Sequence, residues 1–506
     1  MQGKDLLKVV REESASSCGT GEVKTTVSNL NVTSQNYSGN VGFVTLGCSK
    51  NTVDSEVMMG VLNQKGYVAV QDLALADLIV VNTCSFLESA VQEGIDTILE
   101  VAKFKEEGRC RKLIVAGCMV ERYRDDLAKT LPEVDSFIST DQLLLVGDDS
   151  PNETAAAFNE ARRPYFIYDD VSPRVLSTPS HTAYVKIAEG CDRPCAFCII
   201  PKIRGAFRSR SINSVVNEVG NLVSQGVKEI NFVAQDLTSY GSDFPGNRGI
   251  KNELTQLIQA VDEISTPEDF WLRLFYAYPI GVNMDMIKAI QNSSRACNYL
   301  DMPLQHISHS VLKSMRRPLG EKGTRALIEQ MRIAGPDIQL RTTFVVGFPG
   351  ETDADVEALE RYILEGHFTH VGIFTYSQEK EAASYVFDNQ VEESVKQERR
   401  ARLMEAQASV LEKKLSEYVG KKQRILFEGT HYDSDLLLVG RTEWQGPDAD
   451  GVTIVNEVND RFLVEVPDEN GEVGTEFSQE LFDLKGNFLE VEITEVAGYD
   501  LIATLL

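Results

Sequence analysis

Residues 188–210 read AEGCDRPCAFCIIPKIRGAFRSR, and they place Cys191, Cys195 and Cys198 in a C-x3-C-x2-C spacing. Three thiolates are thereby gathered in one predicted loop. Thiolate sulfur is the ligand of iron–sulfur clusters, and a [4Fe–4S] cluster held by three cysteines has one iron without a protein ligand. The loop therefore predicts a [4Fe–4S] cluster whose open iron can bind another molecule.

Other interpretations of these cysteines are a zinc site and purely structural thiols. A zinc site usually has a fourth Cys or His nearby, but the nearest histidine, His181, lies beyond a predicted strand. A disulfide with one spare thiol is disfavoured, because nine cysteines without a recognisable secretory signal are typical of a reducing compartment. The iron–sulfur cluster is the interpretation that we favour.

The cysteine loop follows the first of six apolar segments that alternate with helical patterns over residues 181–417. The segments are AYVKIAEG, EINFVAQD, WLRLFYAY, NYLDMPL, LRTTFVVGF and HVGIFTYS. Strands alternating with helices in this way predict a partial parallel (βα)6 barrel within an α/β protein. Active sites of such barrels lie at the loops that follow the strands, so the cysteine loop is on the expected face.

Nearer the N-terminus, three apolar runs each end in a cysteine. The runs VGFVTLGC, DLIVVNTC and KLIVAGC end at Cys48, Cys84 and Cys118. They are typical of buried parallel strands, and their spacings of 36 and 34 residues suit one βα unit each. We therefore predict an open parallel α/β domain over residues 41–145, with the three cysteines together at one sheet edge. Any single one of these three cysteines could instead be a small buried hydrophobic residue.

The remaining cysteines do not follow predicted strands, and some segments of the chain have no hydrophobic periodicity. Cys18, Cys110 and Cys297 do not follow a predicted strand, and we expect them to be structural. Residues 1–40 are rich in Ser, Thr and Asn and predict a flexible extension, with an organelle-targeting peptide as the alternative. Residues 146–180 mix Pro, Ser and charged residues and predict a linker.

The last part of the chain has a strongly acidic composition. After a long charged helical pattern, five short apolar segments over residues 418–506 predict a small all-β barrel. These residues contain 6 Lys and Arg against 19 Asp and Glu, a formal charge of −13 out of −26 for the whole chain. Small barrels often bind RNA, but this charge favours a basic partner, with solubility alone as the alternative. There is no run of about 18 apolar residues, so we expect no membrane span and a cytoplasmic protein.

The cysteine loop resembles that of radical S-adenosylmethionine (SAM) enzymes, in which SAM binds the open iron and is cleaved to a 5′-deoxyadenosyl radical. Polar side chains at strand ends could bind SAM, with oxygens for its amino group and an arginine for its carboxylate. The polar candidates are Gln235, Asp236, Arg341 and Thr343, with Tyr278, Gln305 and His306 on the same face, and the backbone near Phe348 could flank the adenine. Each of them is as often a cap or a turn residue.

The chain as a whole resembles the radical SAM methylthiotransferases and, within that family, the RimO branch. The resemblance covers about residue 41 to the end. It rests on LGCSKNTVDSE (46–56), VNTCSFLESA (81–90), EGCDRPCAFCIIPKIRGAFRSR (189–210), AQDLTSYG (234–241), PLQHIS (303–308) and FVVGFPGET (344–352). Ser49 stands where the branch usually has Pro, and residues 1–40 have no counterpart.

The resemblance implies two [4Fe–4S] clusters, a second one on Cys48, Cys84 and Cys118, and a C-terminal TRAM domain. It implies methylthiolation of the β-carbon of an aspartate in ribosomal protein S-twelve. In that reaction the radical removes hydrogen, the second cluster supplies sulfur, and a second SAM supplies methyl. The partners implied are the basic ribosomal protein, met by the acidic barrel, and an electron donor.

Two alternatives remain at this point. The sister branch methylthiolates adenosine in transfer RNA with the same clusters, but an acidic domain would repel that polyanion, so a nucleic acid is the less favoured substrate. A non-catalytic electron-transfer or scaffold protein could also hold two clusters. It would not cleave SAM after anaerobic reduction.

Overall fold

The computed structural model describes residues 37–123, 125–148, 166–246, 253–431, 434–467 and 473–506. The strands are β1 (Gly39–Thr45), β2 (Tyr67–Ala69), β3 (Leu78–Thr83), β4 (Lys112–Gly117), β5 (Ser136–Ile138), β6 (Thr182–Lys186), β7 (Ala188–Glu189), β8 (Arg208–Ser209), β9 (Glu229–Val233), β10 (Trp271–Leu274), β11 (Ala296–Asp301), β12 (Gln339–Val346), β13 (His370–Thr375), β14 (Lys422–His431), β15 (Ser434–Thr442), β16 (Thr453–Glu457), β17 (Leu463–Pro467), β18 (Val473–Phe477), β19 (Phe488–Ala497) and β20 (Asp500–Leu505). Most of the predicted N-terminal extension, including Cys18, lies outside the described residues.

The described α-helices are Ser49–Gln64, Glu88–Ala102, Phe104–Glu107, Cys118–Tyr123, Asp125–Thr130, Ile200–Ile203, Ile212–Ser224, Glu253–Asp262, Met284–Asn292, His309–Ser314, Gly320–Ala334, Asp353–Leu364, Glu393–Ser416 and Gln479–Phe482. None of these helices is both long and apolar enough to cross a lipid bilayer.

The chain divides into two compact units, each made of several segments. The first unit comprises Met1–Val219, Phe232–Ile250 and Ser377–Val386. The second unit comprises Gly220–Asn231, Lys251–Tyr376 and Phe387–Leu506.

The first unit contains a five-stranded parallel sheet in the order β2-β1-β3-β4-β5. Successive residues of its central strand face opposite sides: Ile79 packs with the helix Glu88–Ala102, and Val80 packs with the helix Ser49–Gln64. Because both faces are covered, the strands are apolar without alternation. The predicted open parallel α/β domain is confirmed, and the three-residue strands β2 and β5 are additions to it.

The parallel sheet of the central region matches the six predicted apolar segments. In the second unit, β9 to β13 lie in the order β13-β12-β11-β10-β9, with parallel pairing from β10 to β13. In the first unit, the end of β9 lies beside β6, and the N–H of Ile187 donates to the carbonyl of Val233 at 3.1 Å. The prediction of a partial six-stranded α/β barrel is confirmed.

The C-terminal residues form a closed barrel in the second unit. Its strand order is β14-β15-β16-β20-β19, with antiparallel pairs except for the parallel pair of β16 and β20. Ile425, Phe427, Val491 and Ile493 fill its core with at most 1% of their surface exposed. The five predicted segments are its five strands, so the predicted all-β barrel is confirmed. The hairpin of β17 and β18 was not predicted.

Glu229 of β9 is the centre of a buried ionic group in the second unit. Its carboxylate accepts hydrogen bonds from Arg273 at 3.0 Å and from Arg441 of the C-terminal barrel at 2.7 Å. Burial alone would raise the pKa of Glu229, but the two guanidinium groups outweigh it and hold the pKa below its usual value. The carboxylate is therefore ionised and is shared by two cations.

Glu229→Gln is expected to destabilise the second unit by about 3–5 kcal/mol, because two buried guanidinium groups lose their common carboxylate. Chemical denaturation of the full chain measures this change. The matched control is Glu357→Gln, since Glu357 is 54% exposed and lies 3.9 Å from an exposed Arg361. That control is expected to cost less than about 1 kcal/mol. Equal effects of the two substitutions would contradict the prediction.

Candidate active site

The first three cysteines of the site lie at the carboxyl edge of the N-terminal sheet; we call Cys48, Cys84 and Cys118 the N-terminal trio. Cys48 follows β1 and caps the helix Ser49–Gln64. Cys84 directly follows β3, and Cys118 directly follows β4. Because β1, β3 and β4 are adjacent parallel strands, their ends bring the three thiols to one place. All three are free of disulfide bonds.

Glycine precedes two of these cysteines for a steric reason. Gly47 has a φ of +91°, and a Cβ there would lie 2.7 Å from the Cβ of Cys84. Gly117 has a φ of +94°, and a Cβ there would lie 2.2 Å from the amide oxygen of Asn82. Only glycine accepts both the left-handed conformation and the close approach, so the L-G-C and A-G-C patterns bring the sulfur atoms together.

Burial has the largest influence on the pKa values of the N-terminal trio. It raises the pKa of Cys118 to about 12, against the opposing charge of Arg204. It also raises the pKa of Cys84, although backbone N–H groups hydrogen-bond to that sulfur. At Cys48 the effect of burial is outweighed by nearby cations and backbone N–H groups, and the pKa is lowered. Since a coordinating metal deprotonates thiols outright, a bound cluster would convert all three to thiolates.

Two serine hydroxyls beside this trio fit a sulfur-rich ligand. The hydroxyl oxygens of Ser49 and Ser85, each next to a cysteine of the trio, are buried and have no hydrogen-bond partner among the described residues. A buried hydroxyl without a partner costs about 1–3 kcal/mol. The sulfur atoms of an iron–sulfur cluster accept hydrogen bonds, so the two hydroxyls and three thiols together fit a [4Fe–4S] group.

The other three cysteines lie in the loop quoted first; we call Cys191, Cys195 and Cys198 the loop trio. The two ends of the loop are joined by the antiparallel pair β7 and β8. The N–H of Arg193 donates to the Cys191 sulfur at 3.5 Å, and the N–H of Ile200 donates to the Cys198 sulfur at 3.4 Å. Such N–H groups favour the thiolate. Burial raises the pKa of the Cys191 thiol to about 11, so this site too depends on a metal to ionise its sulfur.

In the part of the chain that the structure describes, no three Cys, His, Asp or Glu side chains are placed to hold a single metal ion. A zinc site needs its ligands around one ion. Each cysteine of a cluster site binds a different iron, so its three sulfur atoms are not required to meet at one point.

Two predicted SAM-binding residues lie in the first unit with the loop trio. The amide nitrogen of Gln235 donates to Glu189 at 2.5 Å. The amide oxygen of Gln235 is buried and has no hydrogen-bond partner among the described residues. Asp236 caps the turn Leu237–Ser239 and accepts a hydrogen bond from Arg193 at 2.7 Å. The Gln235 oxygen suits an ammonium group, whereas the Asp236 carboxylate already has protein partners.

The remaining SAM candidates lie in the second unit. The Arg341 guanidinium contacts Asp301 at 3.0 Å, Asp450 at 3.3 Å and the Thr343 hydroxyl at 3.4 Å. Phe348 is fully buried, and its ring packs edge-on against Tyr376 and Phe387. These contacts give Arg341, Thr343 and Phe348 protein partners, and their contacts with SAM stay predictions.

On the same strand-end face, His306 is fully buried, and its Nδ1 accepts a hydrogen bond from the N–H of Ser308. Gln305 has a φ of +73°, and its backbone pairs with Phe344. Tyr278 packs under the Arg317 guanidinium, 4.3 Å from the ring centre.

Sequence reasoning missed a group of buried charged residues in the first unit, the buried ion cluster of Asp54, Lys186, Glu189 and Arg204. Lys186 lies 2.5 Å from Asp54 and 2.6 Å from Glu189. Arg204 lies 2.7 Å from Asp54 and 3.3 Å from Glu189. All four side chains are at most 4% exposed. The position of Asp54, Glu189 and Arg204 inside the cysteine motifs was the available signal, because a charge within a buried motif needs a partner.

Three family models match successive parts of the chain. Residues 40–139 match the uncharacterized protein family UPF0004, residues 185–363 match the radical SAM superfamily, and residues 419–506 match the TRAM domain. Membership of the radical SAM superfamily implies SAM and one [4Fe–4S] cluster, for which the loop trio supplies the expected ligands.

Curated relatives match over almost the whole length. The ribosomal protein uS12 methylthiotransferase RimO of Solibacter usitatus is 42% identical over 468 residues, which is 92% of this chain and 94% of the relative. The RimO of Geobacter sulfurreducens is 40% identical over 473 residues, which is 93% of this chain and 99% of the relative. At this identity and coverage, the chain belongs to the RimO branch of the radical SAM methylthiotransferases.

Proposed function

We propose that this enzyme methylthiolates the β-carbon of an aspartate in ribosomal protein uS12. The observation that carries the proposal is the contact, within the first unit, between Cys118 of the N-terminal trio and the segment that directly follows the loop trio. Cys118 of the N-terminal trio lies in one buried apolar cluster with Ile199 and Ile203, which follow Cys198 of the loop trio by one and five residues. Two cluster sites so close together suit a reaction that forms a carbon radical and then adds sulfur to it.

In this proposal the N-terminal trio holds a second [4Fe–4S] cluster, and Ser49 and Ser85 donate hydrogen bonds to its sulfur atoms. When bound, the two clusters with SAM supply a carbon-centred radical and the sulfur and methyl groups to be transferred. The chain's own residues bind and orient these groups. The free amide oxygen of Gln235 accepts a hydrogen bond from the SAM amino group. Ile199, Ile203 and Ala382 exclude water beside Cys118, which protects a reactive intermediate from side reactions.

The acidic C-terminal barrel supports a basic protein as the substrate. Glu457, Glu490 and Glu495 are exposed on it, and residues 418–506 carry a formal charge of −13. A ribosomal protein is basic because it binds RNA, so opposite charges would steer it toward this enzyme, whereas transfer RNA would be repelled. The relatives named for uS12 support the same substrate.

The test is a direct competition between the two substrates. The reconstituted full chain is reduced under anaerobic conditions with SAM and an equimolar mixture of uS12 and transfer RNA. We expect a methylthio group on one aspartate of uS12, identified by mass spectrometry of its peptides. The control is uS12 in which that aspartate is replaced by Asn. A methylthio group on an RNA adenosine, or 5′-deoxyadenosine without any thiolated product, would overturn the proposal.

A further inference from the structure

Arg204 connects the loop that carries the loop trio with the N-terminal trio. It lies six residues after Cys198 and directly after the helix Ile200–Ile203. Its guanidinium donates to Asp54 at 2.7 Å and to the side-chain oxygen of Asn51, and the side chain is only 3% exposed. Since Asn51 and Asp54 belong to the helix that begins after Cys48, Arg204 joins the two cysteine-bearing segments.

The contact with Asn51 leads directly to a cysteine. The same Asn51 oxygen lies 3.7 Å from the sulfur of Cys118. The amide nitrogen of Asn51 donates to the backbone carbonyls of Leu46 at 2.8 Å and Thr83 at 3.1 Å, each of which precedes a cysteine of the N-terminal trio. Asn51 therefore ties together the three strand ends that carry the trio, and Arg204 holds Asn51 in place.

Arg204 also acts on the trio through its charge. Its guanidinium brings a positive charge close to Cys118, because the Asn51 oxygen that it binds lies 3.7 Å from the Cys118 sulfur. Asp54 and Glu189 pair with Lys186 as well as with Arg204, so their two negative charges are shared between two cations. The buried ion cluster is thus neutral as a whole, and the guanidinium is the part of it that is linked to Cys118, through the Asn51 oxygen.

We propose that Arg204 is a positioning residue that fixes the N-terminal trio and raises the reduction potential of the cluster bound there. A cation beside a cluster stabilises the state with one more electron, and net charge is one of the factors that set such potentials. This inference rests on the proposed function, because it requires the second cluster. It adds that a residue of the loop that binds one cluster influences the reduction potential of the other cluster.

The test compares three variants of the full chain. Arg204→Gln removes the charge, Arg204→Lys keeps the charge without the planar fork, and Lys186→Met disrupts the same buried ion cluster without removing the Arg204 contacts. All three are made in a chain whose Cys191, Cys195 and Cys198 are replaced by Ala, so that only the cluster of the N-terminal trio contributes. Each is reconstituted anaerobically, its iron is counted, and its midpoint potential is measured by electron paramagnetic resonance.

At a fixed reducing potential, Arg204→Gln is expected to lower the ratio of reduced to oxidised cluster about tenfold, which is 59 mV for one electron. Arg204→Lys is expected to lie between this variant and the parent. Lys186→Met is expected to change the ratio less than Arg204→Gln, because Lys186 pairs with Asp54 and Glu189, whereas Arg204 also holds Asn51 beside Cys118. If Arg204→Gln is the only variant that loses iron, this result supports the positioning role of Arg204. The effect of the residue on the reduction potential is then measured in Arg204→Lys. Equal potentials in the parent and both Arg204 variants would overturn the inference.

The two proposals fail in different ways. A parent with a normal second cluster but no thiolated uS12 from the unmutated chain contradicts the proposed function and leaves the Arg204 measurement valid. A parent that binds no iron contradicts both proposals. A parent with iron whose potential does not respond to Arg204 contradicts only the inference about Arg204.

Discussion

Cys84→Ala is expected to lower the iron content from about eight to about four atoms per chain and to abolish the methylthio product, while SAM cleavage continues. The reason is that Cys84 is the middle member of the N-terminal trio and has no part in the loop trio. Iron analysis of the anaerobically reconstituted chain measures the first effect. Chromatography of 5′-deoxyadenosine and mass spectrometry of uS12 peptides measure the other two.

The control for this substitution is Cys110→Ala. Cys110 is buried in the same sheet domain, and its thiol donates to the carbonyl of Lys112 at 3.5 Å. Its loss removes a comparable buried sulfur without touching the trio, so iron content and product are expected to be unchanged. Full iron content in Cys84→Ala would mean that the N-terminal trio does not hold a cluster.

Cys198→Ala is expected to abolish SAM cleavage and product together, with about four iron atoms remaining on the N-terminal trio. Without the third thiolate the loop no longer holds the cluster that binds and reduces SAM. The decisive measurement is the formation of 5′-deoxyadenosine after anaerobic reduction, made in parallel with the iron count.

Cys297→Ala is the matched control for Cys198→Ala. Cys297 is 1% exposed in β11, and burial raises the pKa of its thiol to about 12. It is a structural thiol, so SAM cleavage is expected to continue at the parent rate. SAM cleavage by Cys198→Ala equal to that of Cys297→Ala would exclude the loop trio as the site of the SAM cluster.

The sequence predicted the elements that have strong local signals. Continuous apolar runs predicted β1, β3 and β4, because strands covered on both faces have no polar positions. Cys48, Cys84 and Cys118 lie together only if β1, β3 and β4 are neighbours in the sheet. Short crossover connections between parallel strands favour this order. The three-residue strands β2 and β5 were missed, because so few residues give no measurable period. The predicted segment NYLDMPL begins at Asn298, whereas β11 begins at Ala296, so Cys297 is the second residue of the strand.

Contacts between residues distant in sequence were beyond prediction. Residues 146–180 have no period, but within their described part Arg174 contacts Glu56 at 2.6 Å and Glu218 at 2.5 Å. Arg341 was predicted as a ligand of SAM from its strand position, and its carboxylate partner Asp450 is 109 residues away. Ion pairs of this kind depend on the folded backbone, and no local sequence pattern predicts them.

The N-terminal sheet is enclosed by helices on both faces, and the three cysteines of the N-terminal trio stand at its rim. Small metal-binding domains such as zinc fingers fold around their ion and are unfolded without it. Among the described residues, the apolar clusters of this domain contain one member of the N-terminal trio, Cys118, which lies at their margin. The sheet domain can therefore fold on its apolar contacts first and bind its cluster afterwards.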